Sequence, residues 1–224
     1  MNPINAIGAI IHHKEGKEQF VGTCFSYKDS AHFITACHCI PDDIGSITIA
    51  LPLVGRSLIA TAVAKHETAD IAILQCHSPK NNLDGIDSFK HIVSNYSMAE
   101  DFITYGYPED MIGPHSGAPT PRVYKGYFQR FLNHSSHMGY TYHAGELSIP
   151  CPGGLSGAPL FRPAAHVVIT GLVTENLQAS TELWTEESEI KSNIKNVYTY
   201  NRVITYGIAL LLDKHISWID EHVN

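Results

Sequence analysis

Short runs of strand-forming residues, each closed by a turn signal, set the strongest limit on what this chain can become. In the N-terminal part they are Ala6 to His12, Gln19 to Ser26, Phe33 to Ala36, Ser46 to Leu51, Ser57 to Ala64 and Ile71 to Cys76. A polar stretch, Ser78-Pro79-Lys80-Asn81-Asn82-Leu83-Asp84-Gly85, interrupts the series and reads as the start of a linker. A second series begins near Phe102 and continues through Val123 to Phe131, Gly139 to Leu147, Ala158 to Phe161 and Val167 to Val173. Short strands without intervening helices argue against a parallel sheet and for a β-barrel or sandwich. Helix-compatible apolar spacing is confined to the C-terminal end, at Ile216 and Ile219.

A chain of 224 residues is long enough for one large domain or two small lobes with substantial cores. Its 44 % hydrophobic and 17 % charged content excludes general disorder. No apolar run reaches the length of a membrane span. The segment Met1 to Ile7 lacks the basic start and apolar core of a signal peptide, so a cytoplasmic location is expected. A net charge of −7 argues against nucleic acid as the main partner. The five cysteines, Cys24, Cys37, Cys39, Cys76 and Cys151, are odd in number, which favours free thiols. Cys37-His38-Cys39 invites a metal reading, but neighbours on an extended chain point apart, and no metal or other cofactor is expected.

Chemistry concentrates in three segments. Gly154-Leu155-Ser156-Gly157-Ala158-Pro159-Leu160 reads as a sharp turn presenting a serine, with small residues that let a substrate carbonyl approach. A serine hydroxyl needs a base to take its proton and N–H donors for the developing oxyanion. The base is found in Phe33-Ile34-Thr35-Ala36-Cys37-His38-Cys39-Ile40, where a strand-like run leads into His38. Asp70 opens another apolar run, Asp70-Ile71-Ala72-Ile73-Leu74, and a half-buried carboxylate there needs a partner such as an imidazole N–H. The chain order His38, Asp70, Ser156 is one of the three orders known for hydrolytic triads, and it opposes an α/β-hydrolase esterase, in which the serine comes first. Cys151 is a rival nucleophile in principle, but Ser156 occupies the turn itself.

These segments resemble those of trypsin-like serine proteases of the chymotrypsin fold, and of their HtrA-like bacterial branch most closely. Thr35-Ala36-Cys37-His38-Cys39 resembles the family's T-A-A-H-C, Asp70-Ile71-Ala72-Ile73-Leu74 its D-I-A-L-L, and the serine turn its G-N/D-S-G-G-P-L. Ile169-Thr170-Gly171-Leu172-Val173-Thr174 resembles the strand that follows the turn, and Phe102 to Pro108 the entry to the second barrel. The resemblance implies an all-β fold of two six-stranded antiparallel β-barrels with a C-terminal helix. One lobe, residues 1–95, would carry His38 and Asp70, and the other, residues 96–224, Ser156. It implies a serine endopeptidase acting on protein or peptide substrates through an acyl-enzyme. Gly154 and Ser156 N–H groups would form the oxyanion hole, and Thr174 would support the aspartate. The strand Thr174-Glu175-Asn176 would pair with an extended substrate. Pocket walls would come from Ile149, Pro150 and Cys151, from Glu175 and Asn176, and from Gly207; Ile149, Pro150 and Gly207 suggest an open, uncharged pocket for a small or medium apolar residue. The competing expectation is a catalytically silent relative serving as a binding or scaffold module.

Two departures from the family stand out. Leu155 replaces the aspartate that pairs with a freshly cut N-terminus in digestive relatives, so zymogen activation by that route is not expected. Residues 176–206 form an insertion, with an acidic stretch from Thr181 to Glu189 and a helical start signal. It reads either as a solvated surface insertion or as a lid or docking element for a regulatory partner. The peptide-binding domain that HtrA-like proteins often add is not expected, since the chain ends just after the helix.

Overall fold

A computed structural model describes residues 2–40, 46–79, 82–109, 120–190 and 194–223. Six strands come first: β1 (Ile7–Lys14), β2 (Lys17–Ser26), β3 (His32–Thr35), β4 (Ser46–Leu51), β5 (Arg56–Lys65) and β6 (Ala72–Cys76). Their apolar residues alternate as a half-buried strand requires. In β4, Ile47, Ile49 and Leu51 face inward, and in β5 Leu58 and Ala60 do so. The strands close into an antiparallel barrel in the order β1-β2-β3-β6-β5-β4. Closure pairs every edge, so short strands suffice.

The second series gives β7 (His91–Ile92), β8 (Asp101–Gly106), β9 (Arg122–Ser135), β10 (Thr141–Leu147), β11 (Pro159–Arg162), β12 (Ala165–Ile190) and β13 (Ile194–Leu211). They are ordered β11-β8-β9-β10-β13-β12-β7, and a further β11–β12 pairing closes a ring of six antiparallel strands. β7 is an addition to the expected design, lying parallel on β12 at Val168 and Ile169. Its neighbour Phe89 joins the barrels, its ring 5.7 Å from Phe25 and 5.6 Å from Phe161.

The C-terminal helix α1 (Ile216–Val223) buries Ile219 and Val223, four residues apart on one face, while Ile216 is only half-buried. Trp218 and His215 set it against barrel one, both meeting His66 edge to face with ring centroids 5.0 and 4.9 Å apart.

The insertion is where sequence and structure part. The helical start signal near Thr181 is overruled: Leu177 to Ile190 continues β12 and pairs with β13 from Tyr206 back to Ile194. The residues explain why. Thr181, Thr185, Val197, Thr199 and Val203 are β-branched, and Trp184, Tyr198 and Tyr200 are aromatic, all good strand formers once a partner strand is at hand.

Candidate active site

The site lies where the barrels meet. Cys37–Cys39 is a single 3-10 turn after β3, not the extended chain that the argument against zinc assumed. The turn sends His38 toward Asp70 and the Cys39 thiol toward the Ser156 carbonyl, 3.6 Å away. Asp70, just before β6, is only 3 % exposed. One carboxylate oxygen accepts from the His38 backbone N–H at 3.0 Å, and the other lies 2.7 Å from Nδ1. This grip fixes the ring and leaves Nε2 as the nitrogen able to act on a nucleophile. Burial pulls the imidazolium pKa down, but the hydrogen bond to Asp70, the Cys39 thiol and the Asp70 charge outweigh it, and the value is pushed up to about 10.

The serine turn is pinned through its carbonyls. The Gly153 carbonyl accepts from the Glu109 N–H at 2.7 Å, and that of Leu155 from the Ala158 N–H at 2.8 Å. The Gly154 carbonyl accepts from the Thr23 hydroxyl at 2.7 Å, and the Ser156 carbonyl from the Thr23 N–H at 2.8 Å. In a trans peptide the N–H points opposite to the preceding carbonyl. Holding the Gly153 and Leu155 carbonyls therefore turns the Gly154 and Ser156 N–H groups the other way, and neither donates to a described residue. Two glycines permit the turn. Gly154 has φ +90° and Gly157 φ +85°, and a Cβ on Gly157 would stand 2.0 Å from the Thr23 carbonyl oxygen.

Ser156 itself donates to the Thr174 carbonyl at 3.0 Å, and no hydrogen bond joins it to His38. The site is thus assembled with its serine turned aside. Thr174 also departs from the expected role. Its hydroxyl has one proton, which goes to the Ile208 carbonyl at 3.0 Å, and it accepts from the Tyr142 hydroxyl at 2.9 Å. Both described hydrogen bonds to Asp70 come from His38 instead.

The expected pocket residues converge. The Gly207 N–H donates to the Ile149 carbonyl at 2.8 Å, and the Asn176 amide bridges the Cys151 backbone in both directions. Pro150 is exposed beside them. Cys151 is buried beneath Gly207, and burial pushes its thiol pKa up to about 12, which removes it as a rival nucleophile. Glu175 is the exception to the expected substrate contacts. Its carboxylate is held by His134 and, at 2.8 Å, by His137.

Thr23 is the functional residue that the sequence concealed. It is fully buried in β2, and it reaches across from barrel one to hold the turn of barrel two.

A model of the trypsin-like peptidase domain matches residues 22–169, from β2 through the serine turn into β12. The chain belongs to the trypsin-like peptidase domain family. It is a serine peptidase with two barrel lobes, and the sequence resemblance to trypsin-like enzymes is upheld. Among curated proteins no sequence relative matches. Solved structures similar in fold include the Rv3671c protease in its inactive form, 16 % identical over 99 % of this chain and 91 % of that one, with a TM-score of 0.61. The active form of the same protease, from M. tuberculosis, is 15 % identical over 99 % of this chain and 82 % of that one, with a TM-score of 0.65. All five cysteines of this peptidase are buried free thiols. No helix among its described residues is long and apolar enough to cross a membrane.

Proposed function

We propose that this peptidase cleaves internal peptide bonds of protein substrates through an acyl-enzyme, with Ser156 as nucleophile, His38 as general base and Asp70 as the orienting carboxylate. The observation that carries the reading is the His38–Asp70 pair, 2.7 Å between Nδ1 and carboxylate, set beside a serine turn whose Gly153, Gly154, Leu155 and Ser156 carbonyls are held.

Rotation about χ1 swings the Ser156 hydroxyl from the Thr174 carbonyl to Nε2 of His38. The ring takes the proton as Ser156 attacks the scissile carbonyl, and the Asp70 carboxylate stabilises the imidazolium. The Gly154 and Ser156 N–H groups receive the oxyanion, each donor contributing on the order of 10²-fold to turnover. His38 returns the proton to the leaving amine, and water repeats the sequence on the ester. Ile149, Pro150, Asn176 and Gly207 offer no charge to the side chain before the cleaved bond, which favours a small or medium apolar residue there. Leu155 is buried in the second barrel and cannot pair with a new N-terminus, so access and the serine rotamer carry control.

A fluorophosphonate probe tests this directly. The protein is expected to label at one serine and to lose labelling in Ser156→Ala. A folded protein that neither labels nor hydrolyses peptides would mark a silent module instead.

A further inference from the structure

The Asp70 carboxylate directs both of its described hydrogen bonds to His38, the group it orients. The Thr174 hydroxyl, the support expected for it, is committed to Tyr142 and Ile208. The carboxylate is therefore placed by the backbone that carries it. That backbone is the loop between β5 and β6, which leaves the sheet after the pair Lys65–Ala72. The His66 N–H donates to the Ile71 carbonyl at 3.0 Å and closes the base of the loop. The Ile71 N–H donates to the Ala69 carbonyl at 2.8 Å, a three-residue turn with Asp70 at its centre. The Thr141 N–H of β10 donates to the Thr68 carbonyl at 2.8 Å and ties the loop to the second barrel.

The N–H groups of Thr68 and Ala69 both point to one atom. Nδ1 of His66 accepts from Thr68 at 3.2 Å and from Ala69 at 3.1 Å. Only an unprotonated ring nitrogen can accept, so the imidazole is neutral and carries its proton on Nε2. Burial, opposed by the charge of Glu67, holds the His66 pKa below the ordinary histidine value, which keeps Nδ1 free to accept at neutral pH. Ala69 is fully buried, so its N–H depends on a protein acceptor rather than on water. The ring is held in its turn by the C-terminal end of the chain. His215, just before α1, and Trp218 within it meet the ring edge to face at 4.9 and 5.0 Å.

We infer that His66 is a positioning residue for Asp70: its Nδ1 gathers the Thr68 and Ala69 N–H groups and so folds the turn that delivers the carboxylate to His38. His215 and Trp218 fix the angle of the ring, which extends the support of the base–carboxylate pair to the C-terminal helix. The inference rests on the reading of Asp70 as the orienting carboxylate. Without the acceptor the two N–H groups must find other partners, the loop opens, and the carboxylate moves off the His38 ring. A misplacement of about 1 Å at such a group costs on the order of 10²-fold in rate.

Two variants separate the acceptor from the packing. His66→Phe keeps a ring against His215 and Trp218 but has no acceptor. His66→Asn gives up the ring, yet its side-chain oxygen can accept from the following N–H groups as in an Asx turn. Thermal unfolding verifies that both fold, and His66→Leu takes the place of His66→Phe if the latter does not. On a peptide anilide His66→Phe is expected to lose about 10- to 100-fold in kcat with KM within about twofold. His66→Asn should stay within about threefold of the native chain. A second readout needs no catalysis: the His38 ring is titrated by NMR in the Ser156→Ala background. His66→Phe should bring the His38 pKa down toward the ordinary value of about 6.5, because the Asp70 contact that raises it is loosened, while His66→Asn should leave it raised. An unmoved His38 titration in His66→Phe would overturn the inference, whatever the rate. So would a loss in His66→Asn equal to or greater than that in His66→Phe, because the ring would then act by packing alone. If the native chain hydrolyses nothing but the His38 titration still separates the two variants, the peptidase reading falls and the positioning role stands.

Discussion

Replacing Thr23 by valine tests whether barrel one holds the catalytic turn of barrel two. Valine keeps the shape and removes the hydroxyl. That hydroxyl donates to the Gly154 carbonyl at 2.7 Å and accepts from the Tyr107 N–H at 3.1 Å, in a site with no solvent exposure at Thr23. Both backbone groups would be left without their partner. Each buried polar group so stranded costs ~1–3 kcal/mol, so the expected loss is about 3 kcal/mol. For a chain of this size that corresponds to a fall in Tm of about 6–12 °C. Activity should fall further than stability implies at the assay temperature. The freed Gly154 carbonyl lets its peptide turn, and the neighbouring oxyanion donor loses its aim. A loss of kcat of about 10- to 100-fold is expected, near the cost of one such donor, with KM little changed. Thermal unfolding and hydrolysis of a peptide anilide measure the two effects, and Thr23→Ser should restore most of both. A Thr23→Val protein with unchanged Tm and kcat within about twofold would refute the reasoning.

Three further outcomes are expected. Because Asp70 and Cys39 raise the His38 pKa, and only the neutral ring acts as base, kcat/KM should rise with pH to a half-point above the ordinary histidine value of about 6.5. Asp70→Asn should move that half-point toward acid and cut kcat by on the order of 10⁴-fold, so a pH–rate profile with an unmoved half-point would contradict the pairing. Gly157→Ala places a Cβ 2.0 Å from the Thr23 carbonyl oxygen and 2.4 Å from the Thr35 hydroxyl, at φ +85°. The strain should cost at least about 3 kcal/mol in urea unfolding, and a midpoint equal to the native one would count against it. Burial, then His66, lowers the His215 pKa to about 4, so the folded ring stays neutral where the unfolded one takes a proton. Stability should therefore fall as pH drops from about 6.5 toward 4, and His215→Phe should flatten that fall when urea midpoints at pH 7 and pH 5 are compared.

Much of the architecture was legible because the signals were local. Turn residues and strand propensity marked the runs that became β1 to β6 within a residue or two. The apolar spacing near Ile219 marked α1. His38, Asp70 and Ser156 were legible because each stands in a motif whose neighbours repeat a family pattern. What stayed hidden was set by partners distant in sequence. Thr23 is an unremarked threonine in β2 until the second barrel docks 131 positions later. The Glu175 carboxylate was read as a substrate contact because nothing near it in sequence foretells His134 and His137. The β12–β13 extension was missed because the capping signal at Thr181 is local, whereas its strand partner lies across the turn from it. Leu155, by contrast, spoke plainly, since an aliphatic side chain forms no ion pair in any context.

The division of the turn's supports between the lobes has a consequence for how such an enzyme comes into being. On the proposed mechanism, the nucleophile Ser156 and the oxyanion donors belong to one lobe. The base, its carboxylate and the Thr23 anchor belong to the other. During synthesis the N-terminal lobe emerges with no nucleophile, and the serine follows only when most of the chain has been made. Even then its turn lacks the Thr23 anchor until the two lobes close. Docking of the lobes is thus needed before the serine turn has all of its supports. A site built at a lobe boundary is complete only once both lobes have formed and met.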